Sequence, residues 1–118
     1  MVQAGELIFG GSQHVATAII EVSKKFPDTR SAINIKYESE LIENAKKRGL
    51  SVTSYDRNHE SKRSKRKENS SIAWGVSSCL KSNPPDIIYH KGDIGKEPMI
   101  IIFGTRPADV LKKILLIQ

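Results

Sequence analysis

Residues 100–103, three isoleucines followed by a phenylalanine, constrain the fold more than any other part of the chain. A strand points successive side chains to opposite faces, so an unbroken apolar run needs cover on both faces of its sheet. That requirement points to an α/β architecture with helices on either side of a central strand. The run follows residues 92–99 (GDIGKEPM), where two glycines permit tight or left-handed backbone. Three charged side chains there, Asp93, Lys96 and Glu97, stand beside chain that must be interior. Charge held at the edge of a core marks a place where sites are built.

The remaining periodicities fill in the layers. Residues 7–9 read as a short strand running into Gly10 and Gly11, with Ser12 as N-cap of a helix whose apolar face is Val15, Ile19, Val22 and Phe26. Pro27 stops that helix. Residues 32–37 alternate as a strand, which turns Asn34 away from Ile33 and Ile35. A helix over residues 39–48 places Leu41, Ile42 and Ala45 inward, with Gly49 as its C′ residue. A strand at residues 52–55 follows and ends at Asp56 and Arg57. Ile72, Val76, Cys79 and Leu80 mark a third helix face, closed by Asn83, Pro84 and Pro85. Residues 87–89 and 99–103 are strands, and Pro107 opens a last helix carrying Val110, Leu111, Ile114 and Leu115.

A chain of 118 residues makes one domain, residues 1–118, able to bury roughly two-thirds of its unfolded surface without staples. The single Cys79 has no internal partner, which fits a reducing cytoplasm and a small buried hydrophobe. No apolar run approaches the ~20 residues of a membrane span, and no Lys or Arg precedes Lys24 to form a signal-peptide n-region. A cytoplasmic protein is expected. The formal charge of +6 comes largely from Lys62, Arg63, Lys65, Arg66 and Lys67, for without those five the balance is 14 basic against 13 acidic residues. They lie in residues 57–71, which contain no apolar side chain, so residues 58–71 read as a solvated basic loop. A nucleic-acid surface would spread its basic residues over a face with aromatics between them, and this cluster does neither.

Several positions can carry chemistry. Gly10, Gly11, Ser12, Gln13 and His14 take the chain from a strand through two glycines into a helix N-terminus, where free amides and the macrodipole favour an anion. The plain alternative is a tight turn with an N-cap. His14 falls in the first helical turn, where the dipole disfavours imidazolium, and a neutral imidazole can donate to or accept from a substrate. A packing histidine is the bland reading, as it is for His59 and His90. Lys96 suits a phosphate as a point charge, and Asp93 and Glu97 suit Mg²⁺ bridging to a diphosphate; a local charge pair is the alternative. Asp56 and Arg57 sit at a strand end, where α/β folds place ligands. Trp74, off the face of its helix, is a candidate cover for a ring-shaped ligand or a packing residue.

Five segments in order, residues 9–16 (FGGSQHVA), 30–35 (RSAINI), 54–57 (SYDR), 73–75 (AWG) and 92–99, resemble the ThiN family, the archaeal-type thiamine-phosphate synthase domain. The resemblance covers nearly the whole chain. It implies a three-layer α/β/α sandwich with a mixed sheet, of the class II aldolase (AraD-like) type. It also implies condensation of hydroxymethylpyrimidine diphosphate with thiazole phosphate to thiamine phosphate and diphosphate, helped by Mg²⁺. By the same resemblance His14 is the catalytic histidine, and Gly10, Gly11, Ser12, Arg30, Asn34, Asp56, Arg57, Trp74, Gly95 and Lys96 are candidate contacts to substrate or phosphate. Catalytic members of the family carry an arginine and a helical extension upstream of the histidine segment, and this sequence begins after them. The expectation therefore keeps two functions open, a synthase and a non-catalytic thiamine-phosphate-sensing domain of a transcriptional regulator. Expected partners are the phosphorylated substrates, a second copy in a homodimer, and a kinase or helix-turn-helix domain upstream, with no membrane and no nucleic acid bound by this domain alone.

Overall fold

The computed structural model describes residues 2–3, 6–7, 13–55, 68–92 and 98–118. In chain order these form β1 (Val2–Gln3), β2 (Glu6–Leu7), α1 (Gln13–Lys25), β3 (Ser31–Lys36), α2 (Ser39–Lys47), β4 (Val52–Ser54), α3 (Glu68–Cys79), β5 (Ile87–His90), β6 (Met99–Gly104) and α4 (Pro107–Ile117). The strands make one mixed sheet in the order β2-β1-β3-β6-β5-β4. The isoleucine strand β6 lies inside it, antiparallel to β3 on one side and to β5 on the other, while β4 closes the sheet parallel to β5. Among the described residues no helix is long and apolar enough to cross a membrane.

The strand period divides β6 between two cores. Ile101 and Phe103 face α1 and α3, where they meet Ala32, Ile88, Val15, Ala18, Ile19, Val22, Ile72 and Val76. Ile100 and Ile102 face α2 and α4 and meet Ile87, Ile42, Ala45, Val110 and Ile117. Four large side chains are thus fully removed from water by one strand, each contributing roughly 2 kcal/mol of burial. The helix faces follow from sequence spacing: Val15, Ile19 and Val22 recur at intervals of four and three. Helix α1 ends at Lys25, ahead of Pro27. Helix α2 ends as expected at Gly49, whose φ of +80° suits glycine and whose N–H reaches the Lys46 carbonyl at 3.1 Å.

Two expectations are corrected, and a third falls partly outside the described residues. The last helix buries Val110 and Ile117, whereas Leu111 and Leu115 are 51% and 72% exposed. The buried stripe runs through positions 110, 114 and 117, and the two leucines fall outside it. Helix α3 begins at Glu68, so residues 68–71, assigned to the end of the polar loop, are helical. The strand expected at residues 7–9 is described only as far as Leu7, and it pairs with a further strand, β1, which is too short for any periodicity to announce.

Two local devices fix the sheet to its helices. Lys113 of α4 donates from Nζ to the Phe103 carbonyl at 2.5 Å and pairs with Asp86 Oδ1 at 2.7 Å. Asp86 Oδ2 in turn accepts the Ser51 amide at 2.7 Å, so one carboxylate joins α4 to the starts of β4 and β5. On the other face, Gly75 of α3 lies against the Tyr55 ring: a methyl built on it would fall well inside van der Waals contact of Cγ, Cδ2 and Cε2. Tyr55 is only 8% exposed and has little room to retreat.

Replacing Asp86 with Ala should therefore cost about 2 kcal/mol, since it strands a partly buried ammonium and an amide together; the shift of the urea midpoint measures it. Gly75→Ala sets a gain of about 1 kcal/mol in helix propensity against an overpacking cost of about 1–3 kcal/mol. Net destabilisation is expected in the wild-type chain. In a Tyr55→Leu background the same change should become neutral or stabilising, which a double-mutant cycle reads directly.

Candidate functional site

The pairing directions give the sheet two chemically different ends. Because β6 is antiparallel to both neighbours, its beginning at Met99 lies with the ends of β3 and β5, paired Lys36 to Met99 and His90 to Met99. The end of β4 joins them, with the Tyr55 amide donating to the Tyr89 carbonyl at 3.2 Å. Helix α1 returns through residues 26–30 to the opposite end, where the Arg30 amide donates to the Gly104 carbonyl at 3.0 Å. Its N-terminus, with His14, consequently stands about 18 Å away, toward the Met99 end.

Across that end runs a row of side chains on the α1 and α3 face: Lys36, Met99, His90 and Tyr55. Asn34 belongs to it, since its Nδ2 lies 3.5 Å from Met99 Sδ. Asn34 is exposed, and it stands on the opposite face of β3 from Ile33 and Ile35, as its alternation predicts. His14 is half-buried in the first turn of α1. His90, which the sequence left as a packing or solvated residue, is 1% exposed, and its ring stands 5.3 Å from that of Tyr55.

Trp74 and Tyr55 share a cavity of about 540 Å³ that wraps around the free edge of β4. Lys46 of α2 and Lys81 beyond α3 supply two cations to its wall, and Ser54, Ser78 and Tyr89 supply hydroxyls. The wall thus combines aromatic side chains, two cations and small hydroxyl donors. Cys79 also borders it. Burial pushes the thiol above its ordinary value, only partly offset by the hydrogen bond to Thr53 and the charge of Lys81, so it stays protonated at neutral pH and is no nucleophile. A cavity of similar size, about 550 Å³, opens at the other end of the sheet between Phe26, Pro84, Pro85 and Leu116. None of the motif residues lines it.

The structure therefore gathers His14, Asn34 and Trp74 toward one end and leaves Arg30 at the other, exposed beside Gly104. Gly10, Gly11, Ser12, Asp56, Arg57, Asp93, Gly95, Lys96 and Glu97 lie outside the described residues, as do His59 and the cluster at residues 62–67. They adjoin described chain at residue 13, the first of α1, at Tyr55 after β4, and at Gly92 after β5. Among the described residues no three His, Cys, Asp or Glu side chains come together to hold a metal ion. Sequence reasoning passed over Tyr55 as a site-building residue, although the lone glycine inside the α3 pattern signals a close approach by a neighbour.

The chain is 42% identical over 104 residues to the thiamine-phosphate synthase ThiN of Methanothermobacter thermautotrophicus, covering 86% of this chain and 55% of that protein. It is 40% identical over 116 residues to the bifunctional thiamine biosynthesis protein ThiDN of Methanocaldococcus jannaschii, covering 97% of this chain and 26% of that one. This chain thus spans about half of the first relative and a quarter of the second. Among solved structures, the C-terminal domain of a phosphomethylpyrimidine kinase superposes with a TM-score of 0.83 at 45% identity, covering 93% of this chain and 63% of that one. The family model described as thiamine-phosphate synthase ThiN matches residues 1–116, and the chain belongs to that family.

Proposed function

We propose that this chain is the catalytic domain of a thiamine-phosphate synthase, joining hydroxymethylpyrimidine diphosphate to thiazole phosphate and releasing diphosphate. The observation that carries this reading is the 42% identity, over 86% of the chain, to a protein named thiamine-phosphate synthase. In the reaction the carbon–oxygen bond to diphosphate breaks, the leaving group takes the electron pair, and the thiazole nitrogen supplies a lone pair to the same carbon. No covalent protein intermediate is needed. The demand on the protein is to hold two phosphorylated rings in line and to neutralise the departing charge.

His14, beside the amides of a helix N-terminus, hydrogen-bonds substrate or diphosphate, and Trp74 covers a ring in the cavity at the β4 edge. Gly10, Gly11, Ser12, Gly95 and Lys96 cradle phosphate, and Asn34, Asp56 and Arg57 contact substrate. Asp93 and Glu97 are hard oxygen donors suited to Mg²⁺, which when bound would neutralise diphosphate charge. In the same reading the fold is a three-layer α/β/α sandwich of the class II aldolase type, supported by the two cores on opposite faces of a mixed sheet. A longer parent with a kinase domain upstream is supported by the bifunctional relative and by the similar solved domain, itself the C-terminal part of a phosphomethylpyrimidine kinase, while the homodimer rests on resemblance alone.

The deciding experiment follows thiamine phosphate formation from both phosphorylated precursors with Mg²⁺, and calorimetric binding of the product. Wild type should turn over, and His14→Ala should lose about 100-fold in rate. Trp74→Ala should weaken product binding about fivefold. Binding without turnover would recast the domain as a thiamine-phosphate sensor, and absence of both would sink the reading.

A further inference from the structure

Among the described residues, His90 is the imidazole enclosed in the core at the Met99 end, and its placement has a directional consequence. Its Nδ1 accepts the amide of Gly92 at 3.1 Å, a bond that spans two residues and closes the backbone on the side chain. The bond fixes the neutral tautomer with its proton on Nε2, because an amide can donate only to an unprotonated nitrogen. Gly92 has φ of +85°, a conformation glycine adopts without cost and other residues resist. Gly92 is therefore fixed by two matched features, a left-handed backbone and an acceptor that holds its own N–H.

The ring acting as acceptor is itself held. It packs at a tilt of 41° against the ring of Tyr55, which is backed by Gly75 of α3. Tyr55 is the last described residue before Asp56 and Arg57, and Gly75 adjoins Trp74. One buried contact thus joins the end of β4, the middle of α3 and the turn after β5.

We propose that His90 is a positioning residue: its Nδ1 holds the Gly92 amide, and the left-handed turn so fixed at the Met99 end of the sheet supports binding of a phosphorylated ligand on the α1 and α3 face. The ligand half of this inference rests on the function proposed above; the positioning half does not. A histidine that merely filled space would be replaceable by any side chain of similar volume. One that positions is replaceable only by a side chain that puts an acceptor where Nδ1 stands. Asn does so, since its Oδ1 is attached, like Nδ1, to Cγ. Leu keeps branched volume without an acceptor, and Gln carries its carbonyl one carbon too far.

The test is amide hydrogen exchange of the ¹⁵N-labelled 118-residue chain, comparing wild type with His90→Asn, His90→Leu and His90→Gln. Exchange at Gly92 is read against exchange at Ile87, whose amide donates to the Ser51 carbonyl at the far end of the same strand and reports overall stability. Relative to Ile87, Gly92 should exchange about tenfold faster in the Leu and Gln variants and within about threefold of wild type in the Asn variant. Thiamine phosphate affinity should fall in parallel in Leu and Gln and recover in Asn. The inference is overturned if Gly92 and Ile87 accelerate together, or if Asn behaves like Leu. Should wild type itself fail to bind thiamine phosphate, the proposed function falls, while the Gly92 exchange ratio still decides the role of His90.

Discussion

A strand that must be dry on both faces governs this molecule. Ile101 and Phe103 belong to one core and Ile100 and Ile102 to the other, so among the described strands β6 alone contributes a pair of fully buried large side chains to each. Either layer of helices alone would leave half of the run in water. The two helix pairs are thus consequences of one four-residue stretch, and their amphipathic faces answer it: α1 and α3 on the first face, α2 and α4 on the second.

Pairing direction then decides where function can go. With β3 and β5 both antiparallel to β6, the turns at the Met99 end follow β3 and β5 and precede β6, and the N-terminus of α1 stands there too. Segments far apart in sequence converge without a dedicated scaffold. The other end is occupied by structural bonds instead: Asp86 to Lys113 and to the Ser51 amide, and Arg30 to the Gly104 carbonyl. A carboxylate that ties three elements together is a poor candidate for binding anything else. The cavity at that end is bounded by Asp86 and Lys113, already committed to each other, and none of the motif residues lines it.

The elements were readable in the sequence wherever burial imposes a period. The face of α1, the strand at residues 32–37 and the glycine that ends α2 all follow from spacing and local backbone preference. Pairing direction was not readable, because an apolar run buried on both faces looks the same in parallel and antiparallel surroundings. Nor was the hairpin of β1 and β2, two residues in each strand, shorter than one full alternation. The exposed Leu111 and Leu115 show a third kind of failure: composition marks them as interior, but on α4 the stripe through Val110 and Ile117 already covers the sheet. Of the site residues, His14 could be placed from helix-end chemistry, whereas the burial of His90 could not, because a strand-end histidine beside a glycine has the same local sequence whether it faces water or a tyrosine.

Arg30 brings the limits of motif reading to a physical point. It opens one of the five segments that carry the family resemblance, and His14 lies in another, yet α1 alone separates the ends on which they stand by about 18 Å. What the backbone of Arg30 does is visible: its amide closes the ladder beyond Ser31 by bonding to the Gly104 carbonyl, and β3 starts in register with β6 as a result. A motif position can therefore also serve the sheet that aligns a site, and the row formed by Lys36, Met99 and His90 depends on that register.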